Sequence, residues 1–269
     1  MYSAAESLFA TLFPADCRLC QAPLLNISRL PVCPQCLAAM QPISVQTCSL
    51  CGERLVSPCA VQDPRCGMCR RVEPAFTRAV AYGSYDGGLR ELLHLLKYED
   101  VRPAAAVLGR MLGEAIRRLE PDFGDRPVLV VPVPLHREKL RRRGFNQAEL
   151  LAGQAVASIG KNSRMKLNTR VLTRRRATQS QTGLTRHQRR QNVRGAFVVS
   201  RPEKIQKREV LLIDDVFTTG TTLSECARVL RRAGASKVWV ATVARTLKAG
   251  AEPLGRAQPD EDLVLAAHG

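Results

Sequence analysis

The sequence predicts an α/β protein built on a parallel sheet, with a small cysteine-rich module in front of it. Three features carry this expectation. Eight of the ten cysteines fall in four Cys-x-x-Cys pairs near the start of the chain. From about Phe76 onward, short Val- and Leu-rich runs alternate with amphipathic stretches, the pattern of strands crossing over through helices. One of those runs, "VLLIDDVFTTGTTL" (210–223), leads from aliphatic residues into two aspartates and then into four threonines around a glycine. The expected organisation is a module over 1–75, an α/β body over 76–247, and a flexible tail over 248–269 rich in Ala, Gly, Pro and acids.

Formal charge is +17 over 269 residues, and it is unevenly spread. Residues 136–194 hold 16 Lys and Arg against two acids, a local net of +14, whereas residues 1–75 carry only +1. The basic field therefore belongs to the body and implies an anionic partner, either a phosphorylated small molecule or nucleic acid. No apolar run approaches the roughly 20 residues that span a bilayer, so no membrane insertion is expected. The opening "MYSAAESLFATLFPADC" lacks a basic start, contains Glu6, and does not read as an export signal, which predicts a cytoplasmic protein.

In a reducing compartment, paired cysteines point to metal thiolates before disulfides. Cys17 and Cys20, Cys33 and Cys36, Cys48 and Cys51, and Cys66 and Cys69 share one spacing, which presents two sulfurs to one ion. Twelve residues separate the first two pairs and 14 the last two, room for a short hairpin in each case. Taken in order, the pairs make two zinc ribbons, each closing a structural four-thiolate Zn²⁺ site. An interleaved pairing satisfies the same spacings. Metal would supply the stability that so small an apolar content cannot. Cys59 has no partner at this spacing, and Cys226 falls in step with Leu223, Val229 and Leu230 on a core-facing helical stripe.

In the body, "AYGSYDGGLRELLHLLKYED" begins with alternation and becomes a helix with Leu89, Leu92, Leu93 and Leu96 on one face. "PVLVVPVPL" (127–135) reads as a strand buried on both faces. "FNQAELLAGQAVASIG" is a helix ended by Gly160. "GAFVVS" and "REVLLID" are further strands, "TLSECARVLRRAGA" a helix, and "KVWVATVAR" a strand. Ligands of such sheets sit beyond the carboxyl ends of the strands, where Asp214, Asp215 and the threonine loop fall.

Two adjacent carboxylates at the mouth of a dry core need strong donors or a cation. Thr218, Thr219, Gly220, Thr221 and Thr222 supply a small-residue turn whose N–H groups can face inward, and the helix that follows adds its N-terminal partial charge. Carboxylates beside such a phosphate cradle suit a sugar phosphate: the acids accept from vicinal hydroxyls while the loop donates to the phosphate. No Gly-Lys-Ser/Thr follows, so this is not a Walker loop. The bland alternative is an acidic turn that caps a helix.

"LLIDDVFTTGTT" resembles the phosphoribosyl-pyrophosphate motif of type I phosphoribosyltransferases. The resemblance implies that Asp214 and Asp215 hold the ribose 2′ and 3′ hydroxyls and that residues 218–222 hold the 5′-phosphate. Together with "VPVPLHREKLRRRGFNQAELLA", "KYED" after a leucine helix, "TQSQTGLTRHQRRQNVRGAF" and the paired cysteines in front, the chain resembles the ComF family over about residues 15–246. That family is linked to natural competence and the use of imported DNA. The resemblance implies a type I phosphoribosyltransferase-like fold, phosphoribosyl pyrophosphate or a nucleotide as ligand, and Mg²⁺ held chiefly by substrate oxygens. Positive charge for the pyrophosphate is expected from Arg143, Gly144 and Asn146 in the turn before a helix, with Lys97 resembling a position that faces pyrophosphate. A basic lid over 174–194 would bring Gln181, Arg186, Arg190 and Asn192 to the phosphates. No His-Cys or Ser-His arrangement marks a nucleophile. The competing expectation is a non-catalytic component that handles single-stranded DNA or senses a nucleotide, although Phe145 alone interrupts the basic stretch as a stacking residue. The near-neutral cysteine module is expected to dock a protein of the DNA-uptake machinery.

Overall fold

The computed structural model describes residues 15–24, 29–55, 63–160, 163–177 and 185–247. Cys59, Gln181 and the tail assigned to 248–269 lie outside them. Five parallel strands form the central sheet: β1 (Arg78–Ser84), β2 (Val128–Pro132), β3 (Met165–Leu167), β6 (Glu209–Phe217) and β7 (Lys237–Arg245), in the order β1-β7-β6-β2-β3. The aliphatic runs of β2, β6 and β7 are buried almost without interruption, as a sheet covered on both faces requires.

One face is covered by α3 (Gly87–Tyr98), α4 (Ala104–Arg117) and α6 (Gln147–Ile159). At Gly109 of α4 a Cβ would lie 2.2 Å from that of Gln154, so glycine is what lets α4 press against α6. The other face is covered by α8 (Thr221–Arg232) and by a two-stranded antiparallel hairpin of β4 (Leu172–Arg174) and β5 (Phe197–Val199). "GAFVVS" is thus a strand, but it leaves the main sheet to pair with β4. Between these strands, α7 (Arg186–Val193) starts on a Thr185/Gln188 capping box. The stretch read as a lid over 174–194 therefore ends in an ordered helix. Similarly, the basic run after "VPVP" is not loop but a short helix, α5 (Arg137–Arg143), closed by Gly144 in the left-handed region (φ 78°).

The cysteine module holds two short helices, α1 (Pro34–Ala38) and α2 (Gly67–Arg71), each opening on a cysteine. Antiparallel bridges Asp16↔Pro23 and Thr47↔Arg54 bracket the first Cys-x-x-Cys of each ribbon. The module covers the open edge of β1: Ile43 N–H donates to Tyr82 O at 2.7 Å and Ala79 N–H to Leu50 O at 2.7 Å. The first cysteine cluster packs into the core layer of α3, α4 and α6, and the second into the layer of α8 and the hairpin. An otherwise unpaired strand edge is thereby capped. Among the described residues, no helix is long and apolar enough to cross a membrane.

Candidate functional site

β6 carries Asp214 and Asp215 at its carboxyl end, beside β7 and across from the end of β2. The two carboxylates are in different surroundings. Asp215 is buried and forms an ion pair with Lys97, from the last turn of α3. Burial works against its ionisation, but the Lys97 ammonium outweighs this and holds it below the ordinary carboxylate range. Lys97 is raised in turn: burial acts against its charge, and Asp215 overcomes that. Asp214 is only partly covered and accepts from the Asp215 N–H at 2.9 Å. Burial, and then repulsion from Asp215, push it well above the usual range. Its field also reaches Arg174, whose guanidinium stands 5.3 Å from the centre of the Phe197 ring. One acid is therefore locked ionised while its neighbour readily takes a proton, a division that often marks functional carboxylates.

Past Phe217 the chain turns through Thr218 and Thr219 into Gly220, the N-cap of α8 at φ 70°. Gly220 offers no side chain to cap this helix, the kind of helix start at which anions bind. Thr219 and Thr221 exchange a hydroxyl hydrogen bond of 2.8 Å, and the side chains of 218–222 range from exposed at Thr218 to buried at Thr221. A Cβ on Gly220 would sit 2.4 Å from the Phe217 ring. Gly220→Ala is therefore expected to cost about 1–3 kcal/mol, from left-handed strain plus displacement of Phe217. A thermal midpoint equal to wild type would show that the turn yields freely.

A cavity of about 1250 Å³ opens against Thr218–Thr221. Its far wall is the second ribbon and the segment after it, including Met68, Val72 and Pro74, and its flank is α7 and α8 with Arg190, Arg194, Arg228 and Arg232. The cysteine module is thus a wall of the cavity, a role beyond the docking surface expected for it. Arg190 and the threonine loop line this same cavity. Lys97, Asp214, Asp215, Arg143, Gly144 and Asn146 do not line this cavity. Arg143 lies on the α3 side, its guanidinium 5.5 Å from the Tyr98 ring centre and donating to Gln147 at 2.6 Å. Gly144 is the exposed turn between α5 and α6. Both polar ends of Asn146 are in use: Oδ1 caps α6 at Ala148 N–H (3.1 Å), and Nδ2 donates to Val133 O (3.1 Å). It is a brace between the end of β2 and the helix. The main-chain carbonyl of Asn192 accepts from Arg176 at 2.8 Å.

Three residues not singled out in the sequence shape this region. Arg174 brings a half-buried cation to Asp214. Glu225 accepts from Gly195 N–H (2.8 Å) and pairs with Arg228 (2.8 Å), fastening the end of α7 onto α8. Arg245, buried at the end of β7, contacts the module. The available signal was an arginine closing an otherwise apolar strand.

The eight paired cysteines gather in sequential order: Cys17, Cys20, Cys33 and Cys36 in one cluster, and Cys48, Cys51, Cys66 and Cys69 in the other, with the sulfurs of each within 4.8 Å of one another. The interleaved pairing is thereby excluded. Sγ–Sγ separations of 3.9 Å (Cys17–Cys36), 3.7 Å (Cys20–Cys33) and 3.7 Å (Cys51–Cys66) match the ~3.8 Å edge of a tetrahedron with ~2.3 Å metal–sulfur bonds. Both clusters therefore fit Zn²⁺ with no open coordination position.

Residues 140–260 match the family described as phosphoribosyl transferase domain. The "DNA utilization protein YhgH" of Salmonella typhimurium is 34% identical over 87% of this chain and 98% of its own length. "Competence protein F" of Haemophilus influenzae is 33% identical over 82% and 93%, and "Competence protein ComFC" of Bacillus subtilis 24% identical over 76% and 79%. The two chains above 30% match the module and the body together, in the same order and at nearly full length. With its parallel sheet, its two four-cysteine clusters and these relatives, the chain belongs to the ComF family of competence and DNA-utilisation proteins and carries that family's phosphoribosyltransferase-type fold.

Proposed function

We propose that the protein binds phosphoribosyl pyrophosphate, or a closely related sugar phosphate, together with Mg²⁺, and that it serves the use of imported DNA. The observation that carries this reading is an acid kept ionised by Lys97, three residues before a hydroxyl-lined loop that leads into an uncapped helix. In this reading Asp214 and Asp215 accept from the ribose hydroxyls and residues 218–222 donate to the 5′-phosphate. Asp215 exchanges Lys97 for the diol, and the freed ammonium turns to the departing pyrophosphate. Arg143 and Arg174 add positive charge on the same side, and Arg190 approaches across the cavity. Asp214, the more exposed of the two carboxylates, is the one that would reach a metal, and Mg²⁺ would be held mostly by ligand oxygens and water. Bound there, it would neutralise pyrophosphate charge as a Lewis acid.

Calorimetry tests the reading. Phosphoribosyl pyrophosphate with Mg²⁺ is expected to bind the wild-type protein, and the pair Asp214→Asn and Asp215→Asn to weaken it at least ~10-fold, the loss of about one charge-assisted hydrogen bond. Affinity indifferent to both substitutions would remove the pocket from consideration. Pyrophosphate release on adding candidate bases then reports turnover.

A second reading is favoured by Arg190, Arg194, Arg228 and Arg232, which line the cavity together. They suit the phosphates of single-stranded DNA, for which log affinity falls with log salt at a slope of about −0.7 per phosphate neutralised. Binding of this kind would persist in the two aspartate variants and fade steeply with salt.

A further inference from the structure

We propose that Arg245 and Phe217 form a positioning relay through which the second tetrathiolate site holds the threonine loop in shape. Arg245 is almost fully buried between the module and the sheet. One guanidinium nitrogen donates to Cys51 O at 2.6 Å; the other donates to Glu53 at 2.9 Å and lies 3.7 Å from Cys51 Sγ. The same guanidinium lies 4.2 Å from the centre of the Phe217 ring. Phe76, on the segment leaving the second ribbon, meets that ring edge-on at 6.0 Å. The tip of the ring meets Gly220, where a Cβ would come within 2.4 Å of Cζ. Thr246 N–H donates to Phe217 O at 3.0 Å and ties the backbone of the ring to the residue after Arg245. An unbroken line of contacts therefore runs from a metal ligand, through a planar cation and one aromatic ring, to the left-handed glycine that shapes the turn.

Each link depends on the one before it. With Zn²⁺ in place, Cys51 and its carbonyl are fixed, and the arginine fork has a rigid acceptor set. Without the metal the knuckle loosens, the guanidinium loses two of its three partners, and Phe217 is released from one face. Gly220 then has no wall to close against. The first cluster lacks this arrangement: its sulfurs accept from the backbone N–H groups of Cys33 and Cys36, and it packs on the opposite face of the sheet. It is a built-in control. The relay does not depend on which ligand the loop takes; its effect on ligand affinity does rest on the phosphoribosyl reading.

The experiment uses the zinc-loaded full-length protein and two readouts. Zinc release to a chromogenic chelator is timed while hydrogen exchange is followed in peptides around Cys17–Cys20, Cys48–Cys51 and Phe217–Leu223. Arg245→Lys keeps the charge but loses the fork, and Phe217→Leu removes the ring without touching a cysteine. Both are expected to speed zinc loss from the second site about 10-fold and to raise exchange in both the Cys48–Cys51 and the Phe217–Leu223 peptides, with the first site unaffected. Equal acceleration at both sites would mean general destabilisation, and loop exchange unchanged after the second zinc has left would break the relay outright. Failure of the wild-type protein to bind phosphoribosyl pyrophosphate would overturn the reading of the ligand while leaving these exchange results to decide the relay.

Discussion

In zinc-loaded protein, chelating the metal from both four-cysteine clusters is expected to unfold the cysteine module while the sheet stays folded. Structural zinc in small finger domains contributes about 10–16 kcal/mol of binding free energy, as large as the whole stability of an ordinary domain. Among the described residues the module has little to replace it: the helices there are five residues each, and much of the buried apolar surface is cysteine itself. The body has its own two core layers and does not need the metal to close them. The single tryptophan, Trp239, separates the two events, because it sits in β7 with its indole N–H on Glu209 at 3.0 Å. After chelation its emission should stay near native, while trypsin gains access to Arg65, Arg70 and Arg71. Continued resistance at those sites would mean that the thiolate clusters are not what folds the module.

Replacing Lys97 by Met is the second large effect, with an expected loss of about 3–5 kcal/mol at neutral pH. The side chains of the Lys97–Asp215 pair are 13% and 8% exposed, so removing the ammonium strands a buried carboxylate beside Asp214. The pH dependence gives the loss a signature. In the wild-type protein Asp215 is depressed by Lys97, so its contribution is present above the ordinary carboxylate pKa of ~4 and lost as pH falls through the lowered value. Asp214 is raised, so its contribution is complete at acid pH and fades as pH climbs through the raised value. Without Lys97, burial opposes the ionisation of Asp215 and only its hydrogen bonds with Asp214 and the Val216 N–H still favour it. The variant's deficit should therefore be small in acid, where both carboxylates are protonated, and grow through neutrality. Denaturant melts at a series of pH values measure it. Adding Asp215→Leu to Lys97→Met should recover most of the loss, since removing both charges leaves nothing unpaired. A deficit that does not change with pH would mean that Lys97 acts by packing alone.

The pairing also explains why sequence placed Lys97 at the site without giving it a partner. A lysine in a helix's last turn satisfies the helix dipole wherever it points. Only the packing of α3 against the sheet aims it at Asp215. Asn146 shows the converse. Its position before a helix was visible, but capping and substrate binding ask for the same residue type, and the structure shows capping. Likewise α5 was hidden in a run of basic residues noted for its charge, with only a turn at Arg143–Asn146 expected, while helix propensity and a left-handed Gly144 shape it.

Local chemistry was enough to establish the four-thiolate modules, the buried strands β2, β6 and β7, and the order acids, threonine loop, helix. Each depends on neighbours within a few residues, where spacing and periodicity act directly. Tertiary structure alone decided that the cysteine pairs close in sequence, that the second ribbon walls the cavity at the threonine loop, and that Arg245 reaches Cys51 across 194 positions. It also decided that Asp214 and Asp215, adjacent in sequence, titrate in opposite directions. Those outcomes follow from where the sheet and its two covering layers bring distant groups together, since desolvation and ion pairing depend on distance in space, which sequence order does not record.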